Sequence, residues 1–288
     1  LATFSRREEI AIMKMVGATN AFIRWPFVFE GLILGLAGAL LAFLFQWGIY
    51  GLISNAIVQA EGTSLITLKE CMQTVYEDGP KRDQRLWIGD LYLESLANTY
   101  SFKNHELTRR CLYLLAALAD EDGWLHATVF EYPDPHPQTG QHCMDYSLLY
   151  GVTLYEYLKA TGDRETAEDL WPVVVRQIEF ARTYLKDDIY DMDKKPQWWL
   201  VFDWKEDLNR HAPMQGLMTF AIDRSYELAR MLGREQEVAE WPGVVKAMRK
   251  ASRKNFYDSK NGVVVSGPDR QVSYLSQVWM ILSGTLSQ

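Results

Sequence analysis

Residues 77–90 read EDGPKRDQRLWIGD and run directly into the apolar-patterned LYLESLANTY of residues 91–100. Four acidic and three basic side chains share those fourteen positions with Trp87 and Ile88. A solvated helix face accounts for the charge, but not for Gly79-Pro80, Trp87 and Gly89 in the same stretch. If residues 83–90 are helical, Asp83 and Asp90 lie about two turns apart near one face, with Trp87 beside them. Carboxylates sharing a face with one ring suit a cleft for a hydroxyl-rich ligand. The plainer reading is a salt-bridged helix start with Trp87 turned into the core.

The chain has 288 residues, 30 Lys and Arg against 37 Asp and Glu, and a formal charge of -7. An acidic chain without a basic patch argues against nucleic acid as a partner. Ten Trp, 15 Tyr and 12 Phe make a high aromatic content; many of these rings must pack a core, but sugar-binding clefts also use such rings as flat apolar platforms. Cys71, Cys111 and Cys143 form no CxxC and read as small buried thiols rather than a disulfide framework. The five histidines show no zinc-binding spacing, and DEDG at 120–123 does not continue into a calcium loop. No phosphate-binding glycine loop or nucleophile elbow occurs, so neither a metal nor a cofactor is expected. The chain opens on Leu1 and closes within QVWMILSGTLSQ, which reads as a fragment.

Residues 31–53, GLILGLAGALLAFLFQWGIYGLI, contain Gln46 as their one strongly polar side chain. At 1.5 Å per residue the run spans roughly 30 Å, the thickness of a bilayer core. A transmembrane helix is therefore expected at about 27–53. Arg6, Arg7, Lys14 and Arg24 precede it, and the next basic residue is Lys69. That bias places the N-terminus in the cytoplasm and the later residues outside. Gly31 and Gly35 form a GxxxG, a weak helix-packing signal.

From residue 71 the pattern alternates helical periodicity with Gly, Pro and Asp turns. Helices are predicted at 88–101, 105–119, 142–160, 165–185, 210–231, 234–253 and 270–284. Small strands are predicted within 129–132 and 261–267. Pro172 and Pro242 each follow a Trp near a predicted helix start, and Gly162 and Gly233 close helices. Consecutive helices with alternating short and long links imply helical hairpins. The predicted fold is mainly α, a partial (α/α)6 toroid preceded by one transmembrane helix. Its domains are 1–60, a junction at 61–70, and an incomplete six-hairpin domain at 71–288.

Two resemblances refine this reading. RREEIAIMKMVGATNAFIRWPFVFEGLILGLAG, residues 6–38, resembles the C-terminal part of the FtsX cell-division permease family. That resemblance implies a bacterial inner-membrane protein partnering an FtsE-like ATPase, provided the segment belongs to a complete permease. EDGPKRDQRLWIGD, with DYSLLYGVTLYEYLKATGD at 145–163 and WWLVFDW at 198–204, resembles the α-L-rhamnosidases built on an (α/α)6 barrel. The family pattern is Asp-x-Pro-x-Arg, an acidic residue, then Gly-Asp. Asp78, Pro80, Arg82, Asp83 and Gly89-Asp90 occupy those places. The family usually has Glu where this chain has Asp83, and Cys where it has Gly79.

The resemblance implies an inverting hydrolysis with Asp83 as proton donor. Asp78 and Asp90 would hold sugar hydroxyls and supply like charge, and Arg82 would orient a carboxylate. Trp87, Trp198, Trp199 and Trp204 are candidate walls of the sugar pocket, with Asp203 embedded among rings. Asp145 is either the N-cap of its helix or a residue facing the cleft. The family's general base is a Glu late in the barrel, and no matching Glu precedes Gln288. Hydrolysis of terminal α-L-rhamnosyl bonds is thus expected of the module, but not of these residues alone. The implied partner is a rhamnose-containing saccharide or glycoside.

Three arrangements compete: a tethered external glycosidase, a join near 55–72 between pieces of two unrelated genes, and a non-catalytic carbohydrate-binding module on division machinery. The helical domain is extracellular if the junction is real.

Overall fold

The computed structural model describes residues 25, 29, 32–35, 37–46, 74–78, 84–196 and 198–286. It divides into two compact units, residues 1–65 and 66–288.

In the first unit, residues 32–35 and 37–46 are helical. Ile33, Leu34, Leu41 and Phe45 on this run are all exposed. Among the described residues no helix is long and apolar enough to cross a membrane. Most of the flanking residues that would complete the expected span of 27–53 lie outside the described residues, as does the 61–70 junction.

Among its described residues the second unit has seven α-helices: α1 Ile88–Tyr100, α2 His105–Ala117, α3 Met144–Thr161, α4 Arg164–Arg182, α5 His211–Leu232, α6 Trp241–Phe256 and α7 Tyr274–Leu282. Each matches a predicted helix to within a few residues, except that the sixth starts late. There Glu235–Val238 form a separate 3-10 turn and α6 begins at Trp241, with Pro242 in its first turn. Gly162 and Gly233 close α3 and α5 in the left-handed conformation, at φ 72° and 70°. Pro172 departs from expectation. It stands well inside α4 rather than at its start, and its ring faces solvent.

Helices α1, α3, α5 and α7 pack side by side in chain order, while α2, α4 and α6 cover their outer side. The pattern of burial follows from this layering. α3 and α5 lie between neighbours and are buried around nearly their whole circumference. α6 is an outer helix and buries one stripe, Trp241, Val245, Met248, Ser252 and Phe256, while Lys246, Lys250 and Lys254 are exposed. At Gly216 on α5, an added Cβ would lie 2.8 Å from the Trp279 backbone, so the close crossing of α5 and α7 requires glycine. The end helices carry apolar side chains outward: Leu93 and Tyr100 on α1, and Tyr274, Val278 and Leu282 on α7.

Short strands join the helices. β1 (Leu86–Trp87) pairs antiparallel with β2 (Thr128–Phe130), and β2 with β3 (His136–Pro137). β4 (Leu185–Lys186) pairs with β5 (Ile189–Tyr190), and β6 (Tyr257–Asp258) with β7 (Val263–Val264). β2 and β7 fall in the two predicted stretches. The other strands are two residues long, too short to show an alternating pattern. Cys111 and Cys143 are buried free thiols, and Cys71 lies outside the described residues.

Candidate active site

The first helix begins at Ile88, as its predicted span of 88–101 has it, so the condition of a helical 83–90 is not met over the described residues 84–87. Arg85 forms an antiparallel bridge with Asp78, and Leu86 and Trp87 are taken by β2. The amide of Asp78 donates to the Arg85 carbonyl at 3.0 Å. This bridge, not helical spacing, brings Asp78 towards the start of α1. Asp83 and Arg82 lie outside the described residues.

Asp78, Trp87 and Asp90 line one cleft of about 550 Å³ together with Trp199, Trp204, Arg85, Gln141, Tyr146 and Val201. Asp90 sits in the first turn of α1, where the helix N-terminus favours a carboxylate. Burial, and then Asp78 beside it, raises the Asp90 pKa above the usual carboxylate range, while the Tyr146 hydroxyl acts as a donor that holds it down. Glu94 stands one helical turn further along α1. Burial, with Asp90 and Asp78 close by, pushes its carboxyl up to about 8. Asp90 on the cleft wall and Glu94 one turn behind it are thus both held above the usual carboxylate range.

Arg85 is held by aromatic faces. Its guanidinium lies 4.8 Å from the Trp87 ring centroid and 5.6 Å from that of Phe130, and Nη1 donates to Gln138 Oε1 at 3.4 Å. The Tyr146 ring meets Trp87 edge-on, with centroids 6.1 Å apart. A smaller apolar pocket of about 210 Å³ adjoins the cleft. It shares Asp90, Tyr146 and Val201, and is closed by Leu149, Leu217 and Trp279.

Other expected residues are placed differently. Asp145 does not cap α3, whose N-cap is Cys143. Its carboxylate is 1% exposed and accepts the backbone N–H groups of Val201, Phe202 and Tyr146. Trp198 lies away from the cleft, stacked on Trp124 at 5.2 Å and edge-on to His142 at 5.0 Å, with Nε1 donating to the Tyr184 hydroxyl. Asp203 is exposed in a turn. Its Oδ1 accepts the Lys205 N–H at 3.2 Å, and its carbonyl accepts Arg210 Nη2 at 2.8 Å. Trp199 and Trp204 do reach the cleft, with ring centroids 6.2 Å apart.

Sequence reasoning passed over Glu94, Tyr146, Arg85 and Gln141. Glu94 was findable, since i and i+4 share a helix face and Asp90 was already a candidate. Gln141 sits in a loop that no local pattern ties to the motif. Among the described residues, no three His, Cys, Asp or Glu side chains cluster in a way that could hold a metal ion.

Comparison with known proteins adds two matches. The bacterial alpha-L-rhamnosidase 6 hairpin glycosidase domain matches residues 54–282, and the FtsX-like permease C-terminal domain matches residues 1–68. The rhamnosidase from Klebsiella oxytoca with rhamnose bound superposes with a TM-score of 0.72 at 39% identity, over 77% of this chain and 43% of that one. The GH78 family rhamnosidase of Bacillus sp. GL1 superposes with a TM-score of 0.66 at 20% identity, over 77% of this chain and 23% of that one, which shows the shared fold. Cell division protein FtsX of Bacillus subtilis (strain 168) is 43% identical over 68 residues, covering 24% of this chain and 23% of that protein. This chain thus spans less than half the length of the rhamnosidases and about a quarter of FtsX.

Proposed function

The chain belongs to the family of the bacterial α-L-rhamnosidase six-hairpin glycosidase domain, and we propose that its cleft binds the terminal L-rhamnosyl group of a saccharide or glycoside. The observation that carries this reading is the meeting of Asp78, Trp87 and Asp90 with Trp199 and Trp204 in one cleft. Carboxylates there accept sugar hydroxyls, and the rings cover the apolar face of the sugar.

The proposed reaction is inverting hydrolysis. An acid protonates the leaving oxygen, and a second carboxylate about 6.5–9.5 Å away activates water on the opposite face. Asp83 is proposed as the acid. Asp78 and Asp90 orient the sugar, and their charge favours the protonated state of a neighbouring acid. No residue of this chain is assigned as the base, so binding without turnover is the proposed behaviour of these 288 residues.

The test is titration of the full chain with L-rhamnose and D-mannose in detergent micelles, beside an assay with an aryl α-L-rhamnoside. Selective L-rhamnose binding lost in Asp90→Asn supports the reading. Equal affinity for both sugars, or none, overturns the rhamnosyl site. Turnover abolished by Asp83→Asn would overturn the unassigned base while supporting Asp83.

A second reading concerns the N-terminal segment alone. The match of residues 1–68 and the exposed apolar side chains of 32–35 and 37–46 favour a permease-type membrane segment, and the basic residues before it favour an N-terminus inside the cell. An FtsE-like ATPase would be its partner only within a complete permease. Glycosylase-domain labelling from outside intact cells tests this orientation, and labelling only after lysis would overturn it.

A further inference from the structure

The residues that carry Trp199 and Trp204 form an irregular strap, 198–204, outside any helix or named strand and tied at Trp199 by one parallel bridge to Cys143. The strap nevertheless makes a sharp turn. Phe202 has φ 36°, a left-handed backbone on a bulky non-glycine residue, and the Asp203 amide folds back onto the Val201 carbonyl. Such a conformation costs of order 1–3 kcal/mol and persists only where the surroundings impose it.

One buried side chain imposes it. Asp145 Oδ2 accepts the Val201 N–H at 2.7 Å and the Phe202 N–H at 3.2 Å, while Oδ1 accepts the Tyr146 N–H at 3.1 Å. Burial pushes the Asp145 carboxyl up to about 6, and the Phe202 and Val201 amides pull against that shift. An ionised group so deeply buried is retained only where its bonds repay its desolvation. Two further contacts guide the strap. The Met144 N–H donates to the Trp199 carbonyl at 3.3 Å, and the Phe202 ring meets Trp279 of α7 edge-on at 6.3 Å.

We propose that Asp145 is the positioning residue of the tryptophan strap: by holding the Val201 and Phe202 amides through the strained turn, it sets Trp199 and Trp204 against the cleft. Asp145 acts on the ligand only through the strap. Its functional meaning rests on the cleft being a sugar site, but the mechanical relation does not.

The test uses the full 288-residue chain in detergent micelles, labelled with 5-fluorotryptophan and followed by fluorine NMR without ligand. Trp199→Phe and Trp204→Phe assign the two strap resonances, and Trp171 and Trp241 report on the core. Asp145→Asn weakens the clamp from α3. Val201→Pro deletes one donor from the strap side and leaves every helix intact, so it decides the matter if Asp145→Asn does not fold. Both variants are expected to shift or broaden the Trp199 and Trp204 resonances while Trp171 and Trp241 stay in place. L-rhamnose affinity falls about tenfold to a hundredfold with each, the range for hydrogen bonds to a charged acceptor. Unmoved strap resonances in Val201→Pro, or core resonances that move as far as the strap's, overturn the proposal. Absence of L-rhamnose binding in the wild type overturns the sugar reading instead, and the ligand-free spectra still decide the role of Asp145.

Discussion

The ring of Tyr146 lies flat against the backbone of α1 at Gly89: a β-carbon there would sit 2.4 Å from the ring's Cδ1 and Cε1. Glycine in the motif thus serves the approach of α3 to α1, and with it the reach of the Tyr146 hydroxyl to Asp90. Gly89→Ala should cost about 1–3 kcal/mol, because the Tyr146 ring must leave its place against α1 to admit the methyl group. Urea denaturation measures the loss. L-rhamnose affinity should fall in parallel, since Asp90 loses its donor.

Glu94 sets a pH dependence of stability. Its pKa is raised from 4.5 to about 8 in the folded chain, so folding favours its neutral form. The stabilisation is fully present below pH 4.5 and is lost as pH rises through 8. Glu94→Gln should therefore raise the unfolding midpoint at pH 9, by an amount on the order of a few kcal/mol at most, and leave it nearly unchanged at pH 4. Denaturation at the two pH values checks the sign. A larger gain at pH 4 would contradict the placement of Glu94 beside Asp90 and Asp78.

Two tryptophans of one motif should behave oppositely. Trp198 is packed among Trp124, His142 and Phe180, whereas Trp204 is 81% exposed. Trp198→Ala should lose about 2–4 kcal/mol of stability through the cavity left behind. Trp204→Ala should stay within about 0.5 kcal/mol of the parent, and its effect should appear in sugar affinity. Paired denaturation and binding curves separate the two.

Pro172 breaks the hydrogen-bond ladder of α4 in its middle. Its exposed side chain contributes little packing, so Pro172→Ala should stabilise the chain by about 1–3 kcal/mol. Thermal unfolding reads this as a rise in midpoint.

The helices were legible in the sequence because their periodicity, their closing glycines and the Pro242 start are local signals. Each of the seven helices expected after residue 71 has its counterpart among the described residues. In the 77–90 stretch the predicted helix start at residue 88 agrees with the structure, whereas the face shared by a helical 83–90 does not form. Just before that helix Leu86 and Trp87 pair with β2, some 40 positions later, a pairing that no local pattern announces. A two-residue strand is specified by its partner and leaves no alternating pattern of its own.

WWLVFDW shows the same division. Its three tryptophans and Asp203 looked equivalent as candidate pocket residues. Trp199 and Trp204 reach the cleft, Trp198 joins an interior cluster, and Asp203 stays in an exposed turn. What decided among them is the grip of Asp145 on the Val201 and Phe202 amides, a contact spanning 56 and 57 residues of chain.

By itself, then, the sequence determined the helices, the apolar N-terminal run and the family to which residues 77–90 point, since each is written in the order of neighbouring side chains. Only the tertiary structure decided which carboxylates share a cleft and which rings wall it. Those outcomes depend on hydrogen bonds and close packing between residues far apart in the chain, where burial sets both the proton affinity of Glu94 and the path of the strap.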